Sequence, residues 1–231
     1  MIKLQKKLLI IFLSIFFIIF ILIGYLVIND FVQEKLLRNE FNKLMELNFG
    51  KDRFNRKIKT NFEYSTVEDS IKSYLDKYST TTKKVYNITD DTKLKKILSI
   101  SNYLNDGPDF SSSKSYISTV REDVNTLVDQ VLKLGSEDSI LDNIKSKNVS
   151  SYYVSLYSDL MLSDELSRAI DDNEELLKSS RDYINSLLDT SQRVLDFLII
   201  NKGKWEIKDD TILFQTEDLL NQYNNLISEI K

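Results

Sequence analysis

Residues 8–28 read LLIIFLSIFFIIFILIGYLVI, and between Lys7 and Asp30 there is no charged side chain. At about 1.5 Å of rise per residue, a helix of this length covers roughly 30 Å, one bilayer hydrocarbon core. The stretch therefore reads as a transmembrane helix. The preceding MIKLQKK resembles the charged start of a secretory signal, but the apolar run exceeds a signal's usual core and no small-x-small cleavage site follows it. With no cysteine in the chain, cleavage before a lipidated Cys is closed as well. An uncleaved anchor is expected.

The flanks suggest orientation. Lys3, Lys6 and Lys7 stand before the helix, whereas Asp30 and Glu34 follow it ahead of the first cation, Lys35. The positive-inside rule places residues 1–7 in the cytoplasm and residues 30–231 outside the membrane, with Tyr25 as an interfacial aromatic. All 35 acidic residues lie from Asp30 onward and three of the 31 basic ones precede the span, which leaves the outer part at net −7. That balance argues against nucleic acid as a partner.

The chain has neither His nor Cys. Zinc, haem and thiolate sites are excluded, as are Ser-His-Asp and Cys-His catalysis. No disulfide staples the outer part, so its stability must come from packing. One proline (Pro108) and one alanine (Ala169) beside abundant Ile, Lys, Asn and Asp read as the product of an AT-rich genome, that of a low-GC bacterium. In a eukaryote, Asn87 and Asn148 would instead be glycosylation acceptors.

Beyond the span a mainly α architecture is expected: a stem and connector over 29–65, then a helical bundle over 66–231. The anchor helix is expected to continue through the stem NDFVQEKLLRNEFNKLMELNF, where Phe31, Val32, Leu36, Leu37, Phe41, Leu44, Met45 and Leu47 recur at three and four as a packing face. The connector interleaves Lys51, Arg53, Arg56, Lys57 and Lys59 with Phe54, Phe62 and Tyr64. It reads as a solvated segment whose aromatics reach back to the core, with a grip on anionic lipid or wall polymer as the functional alternative. A helix is expected after Thr66 with Val67, Ile71, Tyr74, Leu75 and Tyr78 on one face, broken by Ser79–Lys84 or exposing it. One short helix is expected over Asp91 to Leu104, and an amphipathic one from Ser113 to Leu134. Ser136 caps a short helix, and another begins near Ser150 with Tyr152, Tyr153 and Tyr157. These tyrosines read as core with hydroxyls at the surface, or as a ligand-facing patch. The longest element is expected from Asp164 to Asn201, its seam interrupted by Asn173, Ser180 and Ser191. The acidic residues Asp171, Asp172, Glu174 and Glu175 on it read as a solvated face. Gly50, Gly107, Gly135 and Gly203 each follow a helix-like run, where a terminating glycine belongs.

After Gly203 the texture changes. In KWEIKDDTILFQ a two-residue turn at Asp209-Asp210 sets Trp205 opposite Phe214 and Ile207 opposite Ile212, a hairpin over 204–215 with one apolar face. Too small to stand alone, it must lie on the helices. Thr216 then caps a last helix over 217–230 with Leu219, Leu220, Tyr223, Leu226, Ile227 and Ile230 in register.

No catalytic constellation emerges. Ser111-x-x-Lys114 has the spacing of a penicillin-binding nucleophile, but the partner elements are missing. No phosphate-binding loop, dinucleotide fingerprint or EF-hand spacing is present. The expectation is a non-enzymatic, single-pass envelope protein without cofactor, which engages another envelope protein or itself through Trp205 and Phe214, the tyrosine cluster, or Arg53, Arg56 and Lys57. The alternative is a ligand-binding or sensory bundle with its pocket near Tyr152, Tyr153 and Tyr157, acting through a separate signalling partner. An envelope enzyme has no positive feature in its favour.

Overall fold

The computed structural model describes residues 2–229, and side chains from Ser14 to Glu229. The side chains of Lys3, Lys6 and Lys7, on which the orientation rests, and Ile230 of the last helix lie outside the described residues. Helix α1 (Ile2–Met45) passes through the apolar run and onward without interruption. Its stretch from Ser14 has a mean hydropathy of 2.5 over its most apolar window, none of it buried, so by length and composition it can cross a membrane. Its 44 residues make it the longest element, ahead of the 37 of α8 (Asp164–Ile200), which the sequence pattern puts first. The reason is that span and stem form one helix: no glycine or proline separates Ile28 from Phe31.

Past the span, Leu37, Phe41 and Leu44 are buried, so the stem is part of the bundle core, whereas Phe31, Val32 and Leu36 of the expected packing face are exposed, on turns of α1 or sides of it that no other helix covers. Helix α2 (Glu63–Thr89) runs parallel to it, because Tyr64 meets Asp30 near its start and Lys72 meets Glu40 two turns further on. Two consecutive parallel helices require the chain to return between them, and residues 46–62 do so as an irregular strap. Phe49 packs edge-on against Tyr78, Arg56 bonds Ser73 and Asp76, and Thr60 bonds Glu68, so the strap descends along α2 as its numbering rises. Gly50 makes the turn at the top with a φ of 81°, its N–H donating to Ser79 Oγ at 3.0 Å. A Cβ there would lie 2.7 Å from the Tyr86 ring.

Helix α2 starts at Glu63, before the expected position, and runs straight through Ser79–Lys84. Three of those hydroxyl residues are buried, contrary to expectation, because each has a partner: Ser79 receives the Gly50 N–H, Thr81 donates to Lys77 O, and Thr82 Oγ1 receives Asn173 Nδ2. The single helix expected over 91–104 is two, α3 (Thr92–Lys95) and α4 (Ile100–Asp106). Asp91 caps the first and Ser99 the second, and an internal cap ends whatever precedes it.

Helix α5 (Ser111–Gly135) comes back antiparallel to α2, with Tyr116 on Asp91 at one end and Tyr74 on Leu134 O at the other. Helices α6 (Glu137–Lys145), capped by Ser136, and α7 (Ser151–Met161) close the span-side half. Helix α8 then pairs antiparallel with α5 along most of its length, tied by Arg181–Asp129, Asn185–Asn125, Arg121–Asp189 and Lys114–Asp196. Strands β1 (Trp205–Lys208) and β2 (Thr211–Phe214) pair in the register read from the sequence, Trp205 with Phe214 and Ile207 with Ile212. Asp209 and Asp210 both have φ near 50°, as a type I′ turn demands. Thr216 caps α9 (Glu217–Ser228). Of the four glycines, Gly50 and Gly203 have left-handed backbones, Gly107 caps α4 with an extended one, and Gly135 is the last residue of α5.

Candidate functional site

Three side-chain clusters stand out, at three heights along the molecule. The first lies where α1 leaves the apolar span. Tyr64 on α2 donates to Asp30 Oδ1 at 2.9 Å, and Tyr152 at the start of α7 donates to Glu34 Oε2 at 3.0 Å. The two hydroxyls lie 3.4 Å apart, and Tyr153 meets Tyr64 edge to face. Burial, then the neighbouring Tyr152 hydroxyl and Asp30 carboxylate, push the Tyr64 phenol well above its ordinary range, so it serves as a donor. A cavity of about 280 Å³ opens beside this group, lined by Leu26, Asp30, Gln33, Phe62, Tyr64 and Tyr153.

The second cluster is charged and buried, halfway up the stem. Lys72 is 1 % exposed. Its ammonium donates to Glu68 Oε1 at 2.5 Å and to Lys57 O at 2.7 Å, and lies 3.5 Å from Glu40 Oε2. Glu68 Oε2 receives the N–H groups of Lys59 and Thr60 and the Thr60 hydroxyl, at 2.8–2.9 Å. Glu40 Oε1 receives Lys43 and Lys59. Burial works against ionisation of both carboxyls. In Glu68 the bonds from Lys72, Thr60 and Lys59 outweigh it and lower the pKa. In Glu40 the hydrogen bonds and charges of Lys43 and Lys59 do so, and hold it at about 2. The network joins α1, the strap and α2, and each charge meets an opposite one.

The third cluster caps the far end. Trp205 donates its indole N–H to Leu198 O at 2.8 Å and stacks on Phe110. Phe214 packs with Phe197 and Tyr223, and the Tyr103 and Tyr223 hydroxyls lie 3.1 Å apart.

The residues singled out in the sequence are thus not one site. Trp205 and Phe214 meet in the distal cap. Tyr152 and Tyr153 belong to the cluster by the span, with Tyr152 47 % exposed. Tyr157 is fully buried, donating to Ile140 O, and lines no part of that cavity. Arg56 is held by Ser73, Asp76 and Asp69, Lys57 offers its carbonyl to Lys72, and Arg53 stays exposed. Of the connector's aromatics Phe54 and Tyr64 are buried and Phe62 is not.

The buried Glu40–Glu68–Lys72 network is not among the features the sequence pattern points to. One signal for it exists, an i,i+4 Glu-Lys pair directly beside the apolar positions Val67 and Ile71. A larger cavity, about 490 Å³, lies between α2, α5 and α6, lined by polar groups that include Lys77, Gln130, Lys133, Asp142 and Asn143. Among the described residues no three acidic side chains converge on a point that could hold a metal ion. No protein-family model, curated protein or solved structure matches this chain.

Proposed function

We propose that this chain is a membrane-anchored, non-enzymatic interaction component of a bacterial cell envelope, which holds a partner-binding cap at a fixed height outside the membrane. The reading is carried by the continuity of α1, which leaves an apolar span and enters the bundle core as one helix. Height follows from the helix registers. Tyr78 and Thr82 of α2 meet Asn173 of α8, so some 15 residues of α2 and a further 27 of α8 separate the span from Ile200, about 60 Å in all. At that far end Leu104, Ile200, Leu213 and Leu220 are exposed, more apolar surface than the cap requires for its own packing. The three lysines before the span favour an outward-facing bundle.

The test is cross-linking of the full-length protein in its native membrane, followed by identification of what co-purifies. One recurrent, near-stoichiometric envelope protein, cross-linked through the cap, supports the proposal. Recovery of unlinked monomer alone overturns it. A ligand-binding reading draws support from the cavity between α2, α5 and α6, whose volume suits a small polar molecule. A rise in thermal midpoint on adding such a molecule favours that reading.

A further inference from the structure

Phe62 is placed against every local preference. It occupies the N-cap of α2, where Ser, Thr, Asp or Asn would accept a backbone N–H, and it makes no such bond. Its φ is 55° with ψ at −146°, a sparsely populated, glycine-favouring backbone region that costs another residue about 1–3 kcal/mol. Its ring is 71 % exposed, although Phe54 and Tyr64 on either side are buried. Nothing in the packing of the bundle uses that ring, and an outlier of this kind points to a use outside the fold.

Its height is fixed by its neighbours. The Asn61 N–H donates to Gln33 Oε1 at 2.8 Å, and the Tyr64 hydroxyl donates to Asp30 Oδ1 at 2.9 Å. Phe62 lies between these two pins, level with residues 30–33 of α1. It shares a cavity with Leu26, which belongs to the apolar span itself. Residue 30 is about 3 Å beyond the last residue of the span, inside the headgroup layer that adds roughly 5–7 Å to each side of the hydrocarbon core. An exposed phenyl ring at that depth is one of the apolar side chains, with Trp and Leu, that interfacial segments bury at the boundary of headgroups and acyl chains.

We infer that the bundle sits on the outer leaflet of the membrane that α1 crosses, with Phe62 inserted among the lipid headgroups. Continuity with the span identifies the occupant, since the cavity beside Phe62 is walled in part by Leu26 of the span itself. The strap then does more than return the chain to the base of α2. Its lower end gives the domain a second foot beside α1, so that the bundle cannot tilt freely about a single helix. The inference rests on the membrane-anchor reading, and the experiment separates the two.

The chain contains no cysteine, so single-cysteine variants of the full-length protein carry a nitroxide without background. Three positions serve in phosphatidylcholine vesicles: Phe62→Cys, Phe20→Cys in the span, and Ile200→Cys at the distal end. Collision with lipid-soluble oxygen is compared with collision with a water-soluble nickel chelate, and circular dichroism verifies that each variant keeps its helix content. Expected is a high oxygen-to-nickel ratio at 20, a low one at 200, and at 62 a ratio several-fold above that at 200. A ratio at 62 equal to that at 200, with 20 still in lipid, overturns the seating and leaves the anchor standing. A low ratio at 20 overturns both.

Discussion

Lys72 shows what a single buried charge demands of its surroundings. Its ammonium has Glu68, Glu40 and the Lys57 carbonyl within reach, so replacing it with alanine strands Glu68 without a counter-charge and frees the strap. Lys72→Ala is expected to cost about 3 kcal/mol, read as a lower urea midpoint for the detergent-solubilised protein with an unchanged slope. The double variant Glu68→Leu with Lys72→Met should lose less than either Glu68→Leu or Lys72→Met alone, because it removes both charges together. Glu40 makes the network sensitive to acid. Its carboxyl titrates at about 2 in the folded protein against an ordinary 4.5, so its contribution is complete above pH 4.5 and fades as the pH falls toward 2. Allowing for solvent screening at the exposed Lys43 and Lys59, it amounts to about 2 kcal/mol. Urea midpoints measured at pH 7 and pH 3 should differ less in Glu40→Gln than in the native sequence.

Among the elements, the hairpin is the most fully legible in the sequence and the strap the least. Alternation of Trp205, Ile207, Ile212 and Phe214 around a two-residue turn leaves one register that sets all four on one face, and in the structure that face is half-buried while its opposite is exposed. The strap has no period to read. Its course is set by partners 8 to 29 residues away, and its charges, which in a sequence suggest water, are partly neutralised by α2 and by Glu40. Lys72 is hidden for the same reason: a lysine inside an apolar face is intelligible only when its acceptors are known. The gap between α3 and α4 is masked because Ser99 falls between apolar residues that keep helical spacing on both sides. Two predictions belong to this scale. Asp210→Gly should stabilise the hairpin by about 0.5–1 kcal/mol, since glycine adopts the positive φ of the type I′ turn without strain. Trp205→Ala should cost about 2 kcal/mol, and it should act locally. Amide exchange is expected to rise in β1, β2 and α9 while α2 and the span-side half of α5 stay protected.

At the scale of the molecule, α5 and α8 form a mast, flanked by α2 as far as Asp91, above a broader base of α1, the strap, α6 and α7. Nitroxides at positions 31 and 200 should be separated by roughly 60 Å in electron–electron resonance. A much shorter distance would show the mast folded back on its base. The reversal of the strap also bears on how the protein carries load. A pull between the anchor and the distal cap runs down the mast into α2, and from α2 reaches the parallel α1 directly, through Tyr64 with Asp30 and Lys72 with Glu40, and by way of the strap, through Glu68 with Thr60 and Asn61 with Gln33. Bonds arranged in this way are strained together in shear, whereas a stem leading into a hairpin would open them one at a time. The chain is therefore joined at its base by a lap joint, which resists the drawing apart of α1 and the bundle along their common direction.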